Sequence, residues 1–475
     1  MRRKMKQPVE KTSDGLVRGL SVTAATMIVA GSMIGSGVFR KPSVMAEQLM
    51  SPELVLLAWI VAGIFTLIGA LTNAEVAGMI DATGGQYKYF RTMYGDFIAF
   101  IYGWSILAVI QTGSQASIAV VFSEYLGYFI KYPQFSEEVQ KFSIYVPLVG
   151  NIYPLQDFGT KAVAILCLLF ITGINYVGVI FGGGVQTFIT IVKIASILLL
   201  AALAFIFGNG SLANLTTDAI PIHNEYNVLT MFGLALAGAF WAYDGWNNVT
   251  FVAGEVKNPK RNVPKALAFG TLIVMGVYLI INIAYMYVLP IDKIAKSPLV
   301  GATLAETLFG PIGGSIISIA IIISTFGAVN GSILATARVH FAMSRDGLFF
   351  KPLGKSHPKF STPGISLIVQ GIWSSILTLT GTFDTISDYV IFASWLFYGM
   401  GAFGVFVLRK KMPDTHRPYK VIGYPVLPAL FVVFSILFVG NTLYSDTSNA
   451  MMGLILISLG IPFYFYWKYF AKKKA

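Results

Sequence analysis

The stretch "AFWAYDGWNNVTF", residues 239–251, places an acidic residue, a glycine and two asparagines at the centre of a long apolar run. An ionisable residue such as Asp244 is costly in the hydrocarbon layer of a membrane and usually faces the interior of a helix bundle or a water-filled cavity. Gly245 follows it directly and allows the backbone to leave helical geometry. The stretch therefore predicts a membrane helix that is broken at its centre.

Three roles for Asp244 are open at the level of sequence. Its carboxylate can act as a counter-charge for a cationic ligand, shape the electric field of a site, or accept hydrogen bonds from backbone N–H groups at the break. Trp241 and Trp246 flank it and are large and rigid enough to cover a ligand. The alternative for Trp246 is packing in the core.

A second interruption, "GSMIGSG" at residues 31–37, lies in the first apolar run and holds three glycines and two serines. Unwinding there frees N–H groups at Gly35, Ser36 and Gly37, at the positive end of the following half-helix, where they suit a carboxylate. Carbonyl groups of the preceding half, near Ser32 and Met33, suit an ammonium group. Together these groups predict recognition of an α-amino acid. The alternative is a small-residue face for helix packing.

Composition places the whole chain in a membrane. Of its 475 residues, 55% are hydrophobic and 12% are charged, whereas about a quarter of the residues of a soluble domain are charged. About twelve stretches are long enough to cross a bilayer. These stretches are 19–47, 52–80, 96–128, 159–178, 184–207, 227–254, 265–289, 311–342, 363–381, 386–408, 424–444 and 449–469.

The basic residues that give the net charge of +12 lie mostly on one side of the membrane. With a cytoplasmic N-terminus, 26 of the 34 lysine and arginine residues lie in the tails and loops of the cytoplasmic side. This asymmetry predicts that both termini lie in the cytoplasm. The location that we expect for this multi-pass protein is the plasma membrane. The asymmetry also argues against nucleic acid as the partner of the basic residues.

Enzyme and cofactor signals are weak. The "GKS" at residues 354–356 resembles part of a phosphate-binding loop, but Phe349 stands where the motif needs glycine. The four histidines lack metal-ligand spacing, and the single cysteine, Cys167, rules out a disulfide within the chain. The sequence thus predicts no enzyme, no cofactor and no metal site.

The two interruptions fall in the first and the sixth apolar stretch, five apart. Paired broken helices in two inverted repeats indicate the substrate site of a secondary transporter. The expected fold is all-α, with two five-helix repeats and discontinuous helices 1 and 6. Its predicted divisions are a tail at 1–18, repeats at 19–207 and 227–408, two further helices at 424–470 and a tail at 471–475.

Three further charged residues are candidates for a functional role. Lys193 lies deep in the fifth stretch, where a buried lysine can carry protons. Its ammonium can instead occupy the position of a sodium ion and bond the carbonyl groups of the first break, or serve only as a structural tether. Glu75 and Arg338 lie near the cytoplasmic ends of the second and eighth stretches. We expect them to pair as part of an inner gate.

Several motifs together resemble the L-type amino acid transporters of the amino acid–polyamine–organocation superfamily. That family has twelve spans and the LeuT-type inverted repeat. The resemblance covers residues 20 to 470. The motifs are "GSMIGSGVFRKP", "TGGQYKYFRTMYG", "QTGSQASIAVVF", "VQTFITIVKIASILLL", "WAYDGWNNVTFVAGEVKNPKRNVPKAL", "STFGAVNGSILATARVHFAMSRDG" and "HRPYKVIGYP".

The resemblance implies roles for individual residues. Ser36 and Gly37 would bind the substrate carboxylate, the Met33 carbonyl would help hold the ammonium, and Trp241 would form the outer lid. Lys193 corresponds to the lysine of the family's fifth span. The full expected substrate site comprises Met33, Ile34, Gly35, Ser36, Gly37, Trp241, Asp244, Gly245, Asn247, Ser394 and Trp395.

The resemblance also implies an activity: sodium-independent exchange of neutral L-amino acids by alternating access. "WAYDGW" looks like members that also accept cationic amino acids. Animal members join a heavy subunit through a cysteine after span 3, and the loop 130–157 has none. No disulfide-linked heavy subunit is therefore expected. Proton-coupled symport and an amino acid sensor without transport are the alternatives.

Overall fold

The first apolar run forms two helices rather than one. In the computed structural model, α1 (Val22–Met33) ends at the glycine-rich interruption and α2 (Gly37–Leu49) begins after it. Ser21 caps α1 by accepting a hydrogen bond from the Ala24 N–H group. The structure describes residues 19–80, 84–177, 183–216, 227–360 and 362–471. The predicted tail 1–18, and all of the predicted tail 471–475 except its first residue, therefore lie outside the described residues.

The remaining elements follow in chain order. They are α3 (Pro52–Met79), α4 (Gln86–Tyr94), α5 (Asp96–Ser105), a π-helical turn (Ile106–Ile110), α6 (Gln111–Leu126), α7 (Glu137–Gln140), an antiparallel hairpin of β1 (Ile144–Val146) and β2 (Gly150–Ile152), α8 (Phe158–Val177), α9 (Gly183–Phe207), a 3₁₀ turn (Leu212–Leu215), α10 (Val228–Tyr243), a 3₁₀ helix (Trp246–Glu255), α11 (Pro259–Val288), α12 (Ile291–Ala295), α13 (Val300–Arg345), a 3₁₀ turn (Lys351–Gly354), α14 (Gly364–Thr378), α15 (Phe383–Lys411), α16 (Val426–Ser445), α17 (Thr447–Ser458), α18 (Gly460–Tyr466) and a π-helical end (Trp467–Ala471).

Eleven helical stretches in the described chain are long and apolar enough to cross a membrane. The ninth predicted span is shorter, because α14 has 15 residues and reaches only about 22 Å at 1.5 Å per residue. Large apolar side chains such as Ile206 and Ile312 face outward, 69% and 73% exposed. An apolar exterior of this kind fits lipid, and the predicted all-α multi-pass membrane fold is confirmed.

The sixth apolar run is broken where the sequence predicted. α10 ends at Tyr243, Asp244 is extended, and Gly245 has a φ of +93° before the 3₁₀ helix Trp246–Glu255 begins. Only glycine adopts such a φ readily. A Cβ atom on Gly245 would also lie 2.9 Å from the Ser32 carbonyl oxygen. The break is therefore fixed by local backbone freedom and by contact with the first break.

The segment after α11 lies beside the first broken helix. α12 packs against α2, and the Ser43 hydroxyl donates a hydrogen bond to the Ala295 carbonyl oxygen over 3.2 Å. α13 starts at Val300 and kinks at Gly310, whose φ is +65°. The kink separates a short first part of α13 from the long helix that follows it.

Candidate functional site

The two helix breaks are in direct contact. A Cβ atom added to Gly37 would lie 2.5 Å from the Ala242 Cα atom, so only glycine allows the N-terminus of α2 to approach α10 this closely. Gly245 makes the reciprocal approach to Ser32. The predicted pairing of the two interruptions is therefore a close backbone contact in the structure.

Tyr278 of α11 bridges the breaks from behind. Its hydroxyl oxygen lies 2.7 Å from the Met33 carbonyl oxygen and 2.9 Å from the Ala242 carbonyl oxygen. Its ring is fully buried and packs against those of Trp59 and Tyr243. Sequence reasoning missed this residue, because a tyrosine in an apolar span gives no local sign of what its hydroxyl contacts.

The start of α2 presents free hydrogen-bond donors. Among the described residues, no group accepts a hydrogen bond from the backbone N–H groups of Ser36, Gly37 and Val38. The Ser36 hydroxyl is buried and also has no partner. These groups lie at the positive end of the helix dipole, which suits an anionic group.

The two carbonyl groups before the break differ in the hydrogen bonds that they accept. The Met33 carbonyl already accepts hydrogen bonds from the Tyr278 hydroxyl and, over 2.8 Å, from the Gly35 N–H group. The Ser32 carbonyl receives no hydrogen bond from any described group. Ser32 lines the cavity between the breaks, so its carbonyl is the better placed acceptor for an ammonium group.

A small polar cavity of about 30 Å³ lies between the breaks. It holds seven of the eleven residues predicted for the site and adds others from α1, α6, the 3₁₀ helix and α13. The predicted lining residues are Met33, Gly35, Ser36, Gly37, Trp241, Asp244 and Gly245, together with Ser32, which was predicted for its carbonyl group. The ones not predicted are Gln111, Ser114, Ile118, Asn248, Ala328 and Ser332. Two breaks and two uninterrupted helices thus enclose one site.

Asp244 faces this cavity but already has a partner. The Tyr398 hydroxyl of α15 donates a hydrogen bond to its Oδ1 atom over 2.5 Å. Tyr398 also packs its ring against Trp246 at a centroid distance of 5.1 Å. The carboxylate therefore ties α15 to the break while remaining on the cavity wall.

Lys193 reaches the first break from α9. Its Nζ atom donates a hydrogen bond to the Ile34 carbonyl oxygen over 3.1 Å. The side chain is only 6% exposed, and no carboxylate within the described residues forms an ion pair with it. The geometry matches the expectation that the ammonium bonds a carbonyl group of this break.

Trp241 lies beneath an ion cluster on the side of the predicted external loops. Its ring meets the ring of Phe383 edge to face at 5.7 Å, and the Lys41 ammonium lies 4.9 Å from the centre of that Phe383 ring. Lys41 is buried and pairs with Asp384 at 3.1 Å and Asp388 at 3.2 Å. These contacts connect α2 to α15 above the cavity.

The predicted pair of Glu75 and Arg338 is wrong. Glu75 forms ion pairs with Arg409 at 2.7 Å and Arg417 at 3.2 Å, because the end of α3 packs against α15 and the segment that follows it. Arg338 instead pairs with Glu255 at 3.0 Å. Opposite charges at the ends of two helices do not show that these helices are neighbours in the fold.

Four predicted residues lie outside the cavity lining: Ile34, whose carbonyl oxygen accepts the hydrogen bond from Lys193, and three others. Asn247 donates a hydrogen bond to the Oε1 atom of Gln86 over 2.6 Å. Trp395 packs among aromatic rings, stacked on Phe431 at 5.3 Å. Ser394 is fully buried. All three support the helices around the site rather than its wall.

Two broken helices that meet around a polar cavity, inside a bundle of membrane-spanning helices, define a secondary transporter. A family model described as amino acid permease matches residues 20–461. The chain belongs to this amino acid permease family, and the predicted assignment to transporters rather than enzymes is confirmed.

Individual relatives match over almost the whole chain. It is 33% identical to the serine/threonine exchanger SteT of Bacillus subtilis (strain 168), covering 97% of this chain and 99% of the relative. It is 31% identical to the mouse large neutral amino acids transporter small subunit 2, covering 96% and 82%. It is 30% identical to the human b(0,+)-type amino acid transporter 1, covering 97% and 90%. The resemblance to the L-type transporters is confirmed.

Proposed function

We propose that the protein exchanges neutral L-amino acids across the plasma membrane without sodium. The observation that carries this proposal is the set of free N–H groups at Ser36, Gly37 and Val38, on a cavity that also holds the unused Ser32 carbonyl. An α-carboxylate on the N–H groups and an α-ammonium on the carbonyl would satisfy both. All α-amino acids share these two groups, so this part of the site recognises the class.

Lys193 supports independence from sodium. A fixed ammonium beside the Ile34 carbonyl supplies, within the chain, a positive charge that an ion would otherwise bring to the break. Because the lysine cannot leave, such a charge cannot be moved across the membrane with the substrate. Exchange then needs only the two amino acid gradients.

Alternating access requires that each side of the cavity can open. On the cytoplasmic side, the Arg338–Glu255 pair and the hydrogen bonds from the Gly19 and Leu20 N–H groups to the Glu255 carbonyl hold the lower half of the broken helix 6. On the other side, Lys41 holds α2 to α15. We propose that breaking one set at a time exposes the cavity to each side in turn.

The charge distribution and the single cysteine support proposals about the orientation of the transporter in the membrane and about its partner. We propose that both termini are cytoplasmic and that residues 19–207 and 227–408 form the two inverted repeats. A heavy subunit joined by a disulfide is not part of this proposal, because the loop 130–157 has no cysteine. Relatives are named for serine and threonine or for large neutral amino acids, so their names leave the side chain open.

The test is uptake by the purified protein in liposomes. Labelled amino acids are offered with or without internal amino acid, with sodium or choline, and with or without an inward proton gradient. Uptake that needs internal amino acid and ignores sodium supports exchange. Uptake into empty liposomes that follows the proton gradient would instead establish symport, with Lys193 as the candidate proton carrier. Binding without any flux would favour a sensor.

A further inference from the structure

A second cavity, separate from the one between the breaks, lies between α9 and α13. Its volume is about 210 Å³, and no described residue lines both cavities. It extends along α9 from Phe188 to Leu200 and along α13 from Ile317 to Ser324, and Phe39 of α2 completes its wall. This space is therefore distinct from the site where the two breaks meet.

The cavity is elongated along the two helices. At a rise of 1.5 Å per residue, its lining covers about 18 Å of α9 and about 10 Å of α13. On each helix the lining residues recur every three or four positions, as Ile189, Lys193 and Ile197 do on α9, and such positions share one helix face. Two parallel faces thus bound a space with the shape of an extended chain.

The lining offers little to a polar ligand. Ten of the thirteen lining residues are apolar, so most of the contacts available to an occupant are apolar. The Ser196 hydroxyl donates to the Val192 carbonyl oxygen over 2.8 Å, and the Lys193 ammonium bonds Ile34. Of the three polar lining residues, Ser324 alone has a hydroxyl without a partner in the described chain. An apolar occupant therefore fits this wall best.

The cavity opens on the surface that faces lipid. Its lining includes Phe188, Val192 and Ile323, which are 68%, 45% and 60% exposed. All three lie in helices that are long and apolar enough to cross a membrane. In the bilayer this surface is covered by hydrocarbon, so lipid acyl chains are the molecules that meet the opening at the highest concentration.

We propose that this cavity binds one acyl chain of a bilayer phospholipid. An apolar protein cavity of about 150 Å³ stays dry and binds benzene, so this larger one has room for a run of methylene groups. The chain would supply the van der Waals contacts that an empty cavity lacks. It would touch Phe39 of α2 and Lys193, and so support the first break from the lipid side. The inference does not rest on the proposed exchange activity.

Photo-crosslinking of the purified full-length protein tests this site. The liposomes are made of phosphatidylcholine, with a small share of the same lipid carrying a diazirine on one acyl chain. Ile197, Leu200 and Ile321 line the cavity but are only 2%, 3% and 1% exposed, so lipid on the outer surface does not reach them. We expect crosslinks at these three positions. Crosslinks confined to outward residues such as Leu199, 60% exposed, would overturn the proposal.

Ser196→Phe fills the cavity from α9 and should reduce crosslinking at the three buried positions several-fold. Ala195→Phe is the matched control, because Ala195 is the adjacent residue, is exposed and lies outside the cavity lining. It should keep the wild-type yield. Unchanged crosslinking in Ser196→Phe, or an equal reduction in both variants, would overturn the site. If Ser196→Phe does not fold, Ala320→Phe fills the same cavity from α13.

Amino acid exchange is measured in the same liposomes, so that the two proposals are tested separately. Crosslinks at the buried positions without exchange of any amino acid would support the lipid site and overturn the proposed function. Exchange without these crosslinks would do the reverse.

Discussion

The Nζ atom of Lys193, in the middle of α9, donates a hydrogen bond to the carbonyl oxygen of Ile34 at the unwound centre of the first broken helix. This single contact joins an uninterrupted helix to the segment that ends one half-helix and begins the next. Because a helix break leaves carbonyl groups without intrahelical donors, a fixed ammonium stabilises the unwound geometry.

Lys193→Met should abolish exchange of all amino acids. The change leaves the Ile34 carbonyl unpaired, at a cost of about 1–3 kcal/mol, and removes the positive charge beside the substrate site. Liposome exchange measures the loss. Lys161→Met is the control, because Lys161 is similarly buried but bonds the Tyr153 carbonyl near the N-terminal end of α8. Sodium-dependent uptake by Lys193→Met would strengthen the assignment, whereas wild-type exchange would refute it.

Asp244→Asn should reduce transport of neutral and cationic amino acids by a similar factor. The carboxylate accepts a hydrogen bond from Tyr398, and bonds to a charged acceptor are roughly twice as strong as those between neutral groups. Tyr398→Phe should therefore give the same pattern of loss. The measurement is exchange of arginine, lysine, alanine and leucine. Selective loss of arginine and lysine would show that Asp244 is a counter-charge for cationic substrates instead.

Gly37→Ala should abolish binding of every α-amino acid. The added methyl group meets the Ala242 backbone at 2.5 Å, and overpacking of this kind costs about 1–3 kcal/mol and displaces the free N–H groups. Thermal stabilisation of the purified protein by added substrate reports binding. Gly276→Ala is the control, since a Cβ atom at that position has nothing within 4 Å. Unchanged affinity in Gly37→Ala would remove α2 from the carboxylate site.

Lys41→Met should open the cavity toward the side of the predicted external loops. Breaking a buried ion pair by removing one partner costs roughly 3–5 kcal/mol. The effect here is smaller, because Asp384 and Asp388 are 28% and 26% exposed. The measurement uses a protein in which Cys167→Ser removes the native thiol and Ile118→Cys places a new one on the cavity wall. Adding Lys41→Met should make labelling of this new thiol several-fold faster.

Lys88→Met provides the comparison for that experiment. Lys88 pairs with Asp346 at 2.6 Å at the C-terminal end of α13, away from the ion cluster that includes Lys41. Its replacement should leave external labelling of the same cysteine unchanged. Equal acceleration in both variants would mean general loosening of the protein rather than opening at Lys41.

The fold class and the two helix breaks could be predicted from the sequence, because they depend on the residues within each segment. One break is indicated by an acidic residue followed by glycine in an apolar run, and the other by three glycines within residues 31–37. Neither interpretation requires knowledge of which helices pack against the segment. The positions of both breaks were confirmed because the cause, backbone freedom at glycine, lies in the residues themselves. The same holds for the membrane spans, whose length and apolarity are properties of each segment.

Tertiary structure alone decided which side chains meet. Glu75 pairs with Arg409 and Arg417 instead of Arg338, and Trp395 packs into an aromatic cluster instead of the cavity. Gln111 of α6 and Ser332 of α13 line the cavity but were not predicted, because glutamine and serine in apolar spans also form structural hydrogen bonds between helices. Helix rotation and neighbourhood determine these contacts, and both depend on the packing of all the helices together.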